Sequence, residues 1–195
     1  MKVELEFIEL LLGTRSGNPE IAEEYIASLH PSGEVQDDEA EVIKNLPEVL
    51  EKASTIFPRS KEGKPFLWDY QIKGFFKDAC GMLRRVPKDP NSKLKAYKRV
   101  IDGLVFVEPR QIPLELSGEL DWLERPLRGQ TAQGERIALA RSETVPKGSK
   151  LTIDIMLLDP NLEGLVKSWL DYGKLRGLGQ WRNASYGRFT WKEVS

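Results

Sequence analysis

The segment from Leu175 to Trp191, LRGLGQWRNASYGRFTW, concentrates residues that can do chemistry on an anion: Arg176, Arg182 and Arg188 alternate with Gly177, Gly179 and Gly187, and Trp181, Tyr186 and Trp191 lie among them. Glycine lets the main chain turn tightly and bring N–H groups toward a phosphate, as in anion-binding nests. A guanidinium binds phosphate as a planar fork, and an indole or phenol ring stacks on an unpaired base for about 1 to 3 kcal/mol. The expected contacts here are Arg176, Gly177, Gly179, Gln180, Trp181, Arg182, Asn183, Tyr186 and Arg188. Phe189 and Trp191 read as core residues at a sheet edge, and Trp181 reads equally as core or as a stacking platform. Asn183 and Ser185 also suit ordinary turns.

Catalytic chemistry has little to work with. The chain has one histidine, His30, in the context IASLHPSG, where Pro31 and acidic neighbours look like a helix terminus that a histidine caps well. The acids Asp37 and Asp38 sit in a charged stretch that reads as a solvated loop. The lone cysteine, Cys80, permits no internal disulfide and no zinc site by itself, and it reads as a small residue on a helix. No catalytic residue, metal or cofactor is expected.

Charge is segregated along the chain although the net is -1. Residues 1–58 carry four basic and 13 acidic side chains, a net -9; residues 59–110 carry 13 and six, a net +7; the remainder is +1. Such a chain can present a basic surface to a polyanion while its acidic part restrains unwanted contacts, or the two blocks can be solvated faces that neutralise each other. Apolar residues at 40% and charged residues at 30% describe a folded globular protein. The run FIELLLG is far shorter than the roughly 20 residues of a membrane span, and its acidic flank is wrong for a secretory signal, so a cytoplasmic protein is expected.

These groups need elements to hold them. KVELEF alternates as a half-buried first strand. Asn18–Pro19 suits the start of a short helix through Ile26, and a second helix is expected from Glu39 to Lys52, interrupted at Pro47. From Tyr70 to about Arg85 the spacing of Ile72, Phe75, Phe76, Ala79, Met82 and Leu83 makes one apolar helix face, with Lys73, Lys77 and Arg84 as a basic stripe away from it. Gly74 and Gly81 lie beside that stripe, where the close approach of a backbone or ligand would offset their helix cost. A basic connection with a short helix near Lys93 to Ile101 follows, and LVFVEPRQIPLEL supplies two strand-like runs whose prolines place them at sheet edges or outside the main sheet. A hairpin is expected from a strand near Glu135–Ser142, a turn at Pro146, Lys147 and Gly148, and an alternating strand through Leu151, Ile153 and Ile155. Leu162 to Tyr172 returns to helical spacing after Asp159–Pro160, and GRFTW closes as a strand.

The expected order is strand, helix, strand, strand, helix, strand: an α+β chain with a ferredoxin-like (RRM-like) βαββαβ core. It forms one domain, 1–195, with core segments near 1–12, 65–85 and 134–192 and large insertions near 13–64 and 86–133.

On that plan the turn GLGQWRNASYGRF resembles the glycine-rich loop of the RAMP superfamily, the repeat-associated proteins of CRISPR effector complexes and guide-RNA processing. WDYQIKGFFKDA is similar to their basic first helix, and ERPLRGQTAQGERIALARSETVPKGSKLTIDI to a segment of their RNA-coating backbone subunits; the three cover roughly 65 residues. The resemblance implies a non-catalytic protein binding single-stranded RNA, or single-stranded DNA, alongside CRISPR-type subunits or copies of itself. Lys73, Lys77, Arg84, Arg85, Arg125 and Arg128 then join the loop as backbone contacts. One alternative is an interaction protein, of viral or mobile-element kind, that mimics such a subunit. Another is guide-RNA cleavage through His30. The binding groove requires the glycine turn to meet the cationic side of the first long helix, with Arg176, Arg182 and Arg188 free of internal acids.

Overall fold

In the first strand, β1 (Lys2–Phe7), Val3, Leu5 and Phe7 are fully buried while Lys2 and Glu6 face solvent, so the alternation of the sequence becomes the two faces of a sheet. The computed structural model describes residues 1–16, 54–131 and 134–194, with the backbone alone over 127–139. Short strands follow at Leu11–Leu12 (β2), Arg15–Ser16 (β3), Ser54–Ile56 (β4) and Phe66–Trp68 (β5). Helix α1 (Asp69–Leu83) and helix α2 (Tyr97–Leu104) precede β6 (Val105–Glu108) and β7 (Gln111–Pro113). The chain then forms β8 (Asp121–Thr131), β9 (Gly134–Val145), β10 (Lys150–Leu157), α3 (Glu163–Tyr172) and β11 (Phe189–Val194). The architecture is α+β. The expected helices near 18–26 and 39–52, with His30, Asp37 and Asp38, lie outside the described residues.

The main sheet has four antiparallel strands in the order β11, β1, β10, β6. Along the chain these are visited as strand, helix α1, strand, strand, helix α3, strand. The buried face of the sheet joins Ile72, Phe75, Phe76 and Ala79 of α1 and Val166, Trp169 and Leu170 of α3 in a main core cluster. Phe75 meets the Phe189 ring edge-on at 5.3 Å, and Phe76 meets Trp169 at 5.6 Å, so α1 is fixed to the sheet by one aromatic contact and to α3 by another. Burying each such ring contributes about 1.5 to 3 kcal/mol. On the opposite face Glu4 takes Lys150 and Lys192, each at 3.0 Å, from the two strands flanking β1.

Helix α1 starts where Gln71 Oε1 accepts the Trp68 backbone N–H at 2.9 Å and satisfies a donor outside the helix ladder. The same amide donates to Thr14 Oγ1 at 2.6 Å, tying the helix start to the chain just before β3.

Two expectations about strands need correction. The second strand of the main sheet is Val105–Glu108, at the sheet edge opposite β11, in place of the expected Glu135–Ser142. Residues 134–145 instead pair with β8 along its whole length, from Asp121 opposite Thr144 to Thr131 opposite Gly134, and with β2 and β4 in a second sheet. No hairpin joins β9 to β10, because the turn after Val145 carries the chain from one sheet to the other. The cause is visible in burial: Ser142, Glu143, Thr144 and Val145 are all buried in succession, the mark of a strand covered on both faces. Glu143 is held there by the Phe57 N–H at 2.9 Å and by an ion pair to Arg59. The reading of LVFVEPRQIPLEL holds: β6 is an edge strand, and β7 pairs with β5 outside the main sheet.

Candidate nucleic-acid interface

Between α3 and β11 the glycine turn folds back on itself. Gly177 and Gly187 both have positive φ, +80° and +69°, and the Leu178 N–H donates to the Gly187 carbonyl at 2.8 Å. A Cβ on Gly187 would lie 2.0 Å from the Leu178 carbonyl oxygen, so the two arms of the turn close only around glycine. The Gly187 N–H donates to the Leu10 carbonyl at 2.8 Å, so this amide supports the fold and is not presented to an anion, which corrects the nest expected there. Leu178 is buried in the core, and the residues after it are pushed outward as an exposed-side lip.

That lip carries a short 3-10 turn, Arg182–Ala184, bracketed by Trp181 at φ +55° and Ser185 at φ +67°. Left-handed backbone at a non-glycine residue costs on the order of 1 to 3 kcal/mol and is maintained when side chains around it are held. Here the holder is Arg125 of β8, whose guanidinium lies over the Trp181 ring and 4.7 Å from the Tyr186 ring centre. Burial against these rings lowers the Arg125 pKa, with Tyr186 opposing the shift. An arginine stacked on indole gains about 0.5 to 2 kcal/mol.

Arg176 Nε and Arg182 both donate to Asp78 Oδ2 of α1, at 2.6 and 3.0 Å, and Arg176 also donates to Asn183 Oδ1 at 2.8 Å. The hydrogen bond to Asp78 raises the Arg176 pKa further. Arg188 donates to Glu9 at 3.1 Å, and Glu9 also takes Lys147 at 2.8 Å. Lys147 first, then Arg188, holds the Glu9 carboxyl below its ordinary value. The turn therefore does meet the first long helix, but through its one mid-helix acid. All three loop arginines are paired with internal carboxylates, so the open guanidinium forks expected from the sequence are corrected to a clamped cluster. Each guanidinium has five N–H donors, and one or two are engaged on Arg176 and Arg182. Arg125, Arg176 and Arg182 against Asp78 leave two net positive charges around a cleft of about 430 Å³ lined by Gly179, Gln180, Trp181 and Asn183.

The basic stripe of α1 faces elsewhere. Lys73 donates to the Asp102 carbonyl of α2 at 3.1 Å, and Lys77 pairs with the Asp102 carboxylate at 2.5 Å. These two lysines thus turn toward the insertion and not toward the glycine turn, a correction to the expected groove. Arg84 stacks on Tyr97 at 4.8 Å, and Arg85 is exposed beside it. Arg128 lies on β8, opposite Ile137 of β9. Phe189 is fully buried as expected, whereas Trp191 is half-buried and donates to Asp171 at 2.9 Å.

Sequence reasoning passed over Asp78 and Glu9. The signal for Asp78 was present: it is the one acid on α1 after Asp69, set beside a lysine in a basic stripe. Cys80 is buried, and burial pushes its thiol up to about 11, so it is inert. Among the described residues no group of three or more His, Cys, Asp or Glu is placed to hold a metal ion. No described helix is long and apolar enough to cross a membrane.

No protein-family model matches the chain, and no curated protein matches it in sequence. Two solved structures are similar over its whole length. One is a chain of the type III-B Cmr-beta complex bound to cognate target RNA, solved by cryo-EM, with 10% identity and a TM-score of 0.48. The other is a chain of a type IV-B CRISPR complex, also with 10% identity and a TM-score of 0.48. This chain spans 60% of the first and 90% of the second. At such identity no residue of either is matched to a residue here.

Proposed function

We propose that the protein is a non-catalytic, RAMP-type nucleic-acid-binding protein. It is one domain, 1–195, with a ferredoxin-like core, and it holds single-stranded RNA as part of a CRISPR-related assembly. The observation that carries this reading is that one turn brings together the Trp181–Arg125–Tyr186 stack and the Arg176–Asp78–Arg182 cluster, two net positive charges in all with Arg125 included, which offers an aromatic surface and cationic donors to the same stretch of strand. Partners in this reading are single-stranded RNA or DNA, other CRISPR-type subunits or copies of the chain, in the cytoplasm and without a cofactor.

Fluorescence anisotropy with a labelled oligouridylate at 50 and 200 mM salt tests it. Binding weakens steeply with salt in this reading, because phosphate contacts release counterions. Trp181→Ala weakens binding about tenfold through the lost stack. Asp78→Asn releases Arg176 and Arg182 and tightens binding by roughly fivefold, the effect of about 1 kcal/mol from one removed charge, while lowering the melting temperature. Absence of binding at the lower salt rejects the reading in favour of an interaction protein that mimics a CRISPR subunit. That alternative is favoured by the internal pairing of Arg176, Arg182 and Arg188.

A further inference from the structure

The densest run of cations without an ion pair to a described carboxylate lies away from the glycine turn. From Arg84 to Arg99 the chain holds seven basic residues against one acid, Asp89, a net +6. Asp89 is occupied in capping the 3-10 turn Pro90–Lys93, where its carboxylate accepts from the backbone and side chain of Asn91 at 2.8 Å. Arg85, Lys88, Lys93, Lys95, Lys98 and Arg99 are all exposed, and none forms an ion pair with a described carboxylate.

This surface has shape as well as charge. Tyr97 of α2 stands against α1 at Gly81, where an added Cβ would come within 3.0 Å of the Tyr97 hydroxyl, so the glycine is the gap that admits the ring. Arg84 stacks on that ring at 4.8 Å, and its Nε is shielded from solvent with no acceptor among the described residues. A cleft of about 270 Å³ beside Tyr97 is lined by Lys77, Arg85 and Lys98, with Asp78 as its one acid; another of about 470 Å³ is lined by Tyr97 with Arg84, Lys98 and Arg99 and no acid. The two share Tyr97 and Lys98, so they accept adjacent anionic groups of one chain better than a single small anion.

We infer that the α1–α2 groove around Tyr97 is the phosphate-backbone track of this protein, taking successive phosphodiesters of a single strand between Arg85, Lys98 and Arg99. This rests on the nucleic-acid reading above and moves its main electrostatic contact from the glycine turn to the first long helix and the insertion. The physical reason is competition. A phosphate at Arg176 or Arg182 shares donors already engaged by Asp78, whereas Arg85, Lys98 and Arg99 form no ion pair with a described residue and keep all their donors for the strand.

The test is the same oligouridylate titration, made with the full chain and with the triple variant Arg85→Gln, Lys98→Gln, Arg99→Gln; these three exposed side chains are removable without touching the core. Three lost phosphate contacts lower the slope of log affinity against log salt by about 2, and affinity falls by tenfold or more. Ultraviolet cross-linking of a 4-thiouridine oligomer to the wild-type chain is expected at the peptide that contains Tyr97. A triple variant with wild-type slope, or cross-links confined to the peptide containing Trp181 and Tyr186, overturns the track and leaves the nucleic-acid reading standing. A wild-type chain that does not bind overturns both.

Discussion

Asp78 shows how one carboxylate changes the meaning of a motif. From the sequence the turn Leu175–Trp191 offers three guanidinium groups; in the fold two of them converge on a single oxygen of Asp78, and the third is drawn to Glu9. The arginines, glycines and aromatics were legible one by one, since their types limit what they can do. Their pairing was not, because Asp78 and Arg176 are 98 residues apart and no local periodicity links them. Cys80 is the opposite case, read from the sequence as a packing residue and found fully buried. With its thiol pushed up to about 11, the native protein is expected to resist a thiol-specific reagent at pH 8 and to react at once in urea. Rapid labelling of the folded chain contradicts that burial.

At the level of elements, the apolar spacing of α1 and α3 predicted both helices within a residue or two, because a 3.6-residue period has to bury its stripe whatever it packs against. The order of strands was harder. β9 and β10 both carry strand-like sequence, and alternation says that a strand has two faces without saying which strand lies beside it. The basic insertion is secured to the second core helix through a contact with no sequence signature: the fully buried Asn91 accepts from Trp169 Nε1 at 2.6 Å and donates to Ser168 at 3.2 Å. Asn91→Ala leaves the indole N–H buried without an acceptor and is expected to cost about 1 to 3 kcal/mol. Chemical denaturation measures it, and a variant as stable as wild type refutes the role given to that bridge.

For the whole molecule, charge is organised by position in space more than by position in sequence. The acids of β1 and the residues just after it are matched by lysines and arginines from distant strands: Glu4 by Lys192 and Lys150, and Glu9 by Lys147 and Arg188. Hydrogen bonds from those partners lower both carboxyl pKa values below the ordinary 4.5. A carboxyl with a folded-state pKa below its unfolded value contributes its stability in full above the unfolded value, and that contribution is lost as pH falls through the folded one. The melting temperature is therefore expected to stay level from neutrality to about 4.5 and to drop below it, and a carbon-13 NMR titration is expected to show Glu4 and Glu9 protonating below the ordinary carboxyl range. Lys147→Ala raises the Glu9 midpoint; an unmoved midpoint contradicts the pairing. The sequence alone determined helices α1 and α3, the α+β class, a cysteine on a helix and the residue types gathered at the last turn, because local spacing and side-chain chemistry set each of these within a few residues. Which arginine meets which acid, which strand lies beside which, and which cations remain open to solvent were decided only by tertiary structure, since each depends on groups brought together from far apart in the chain.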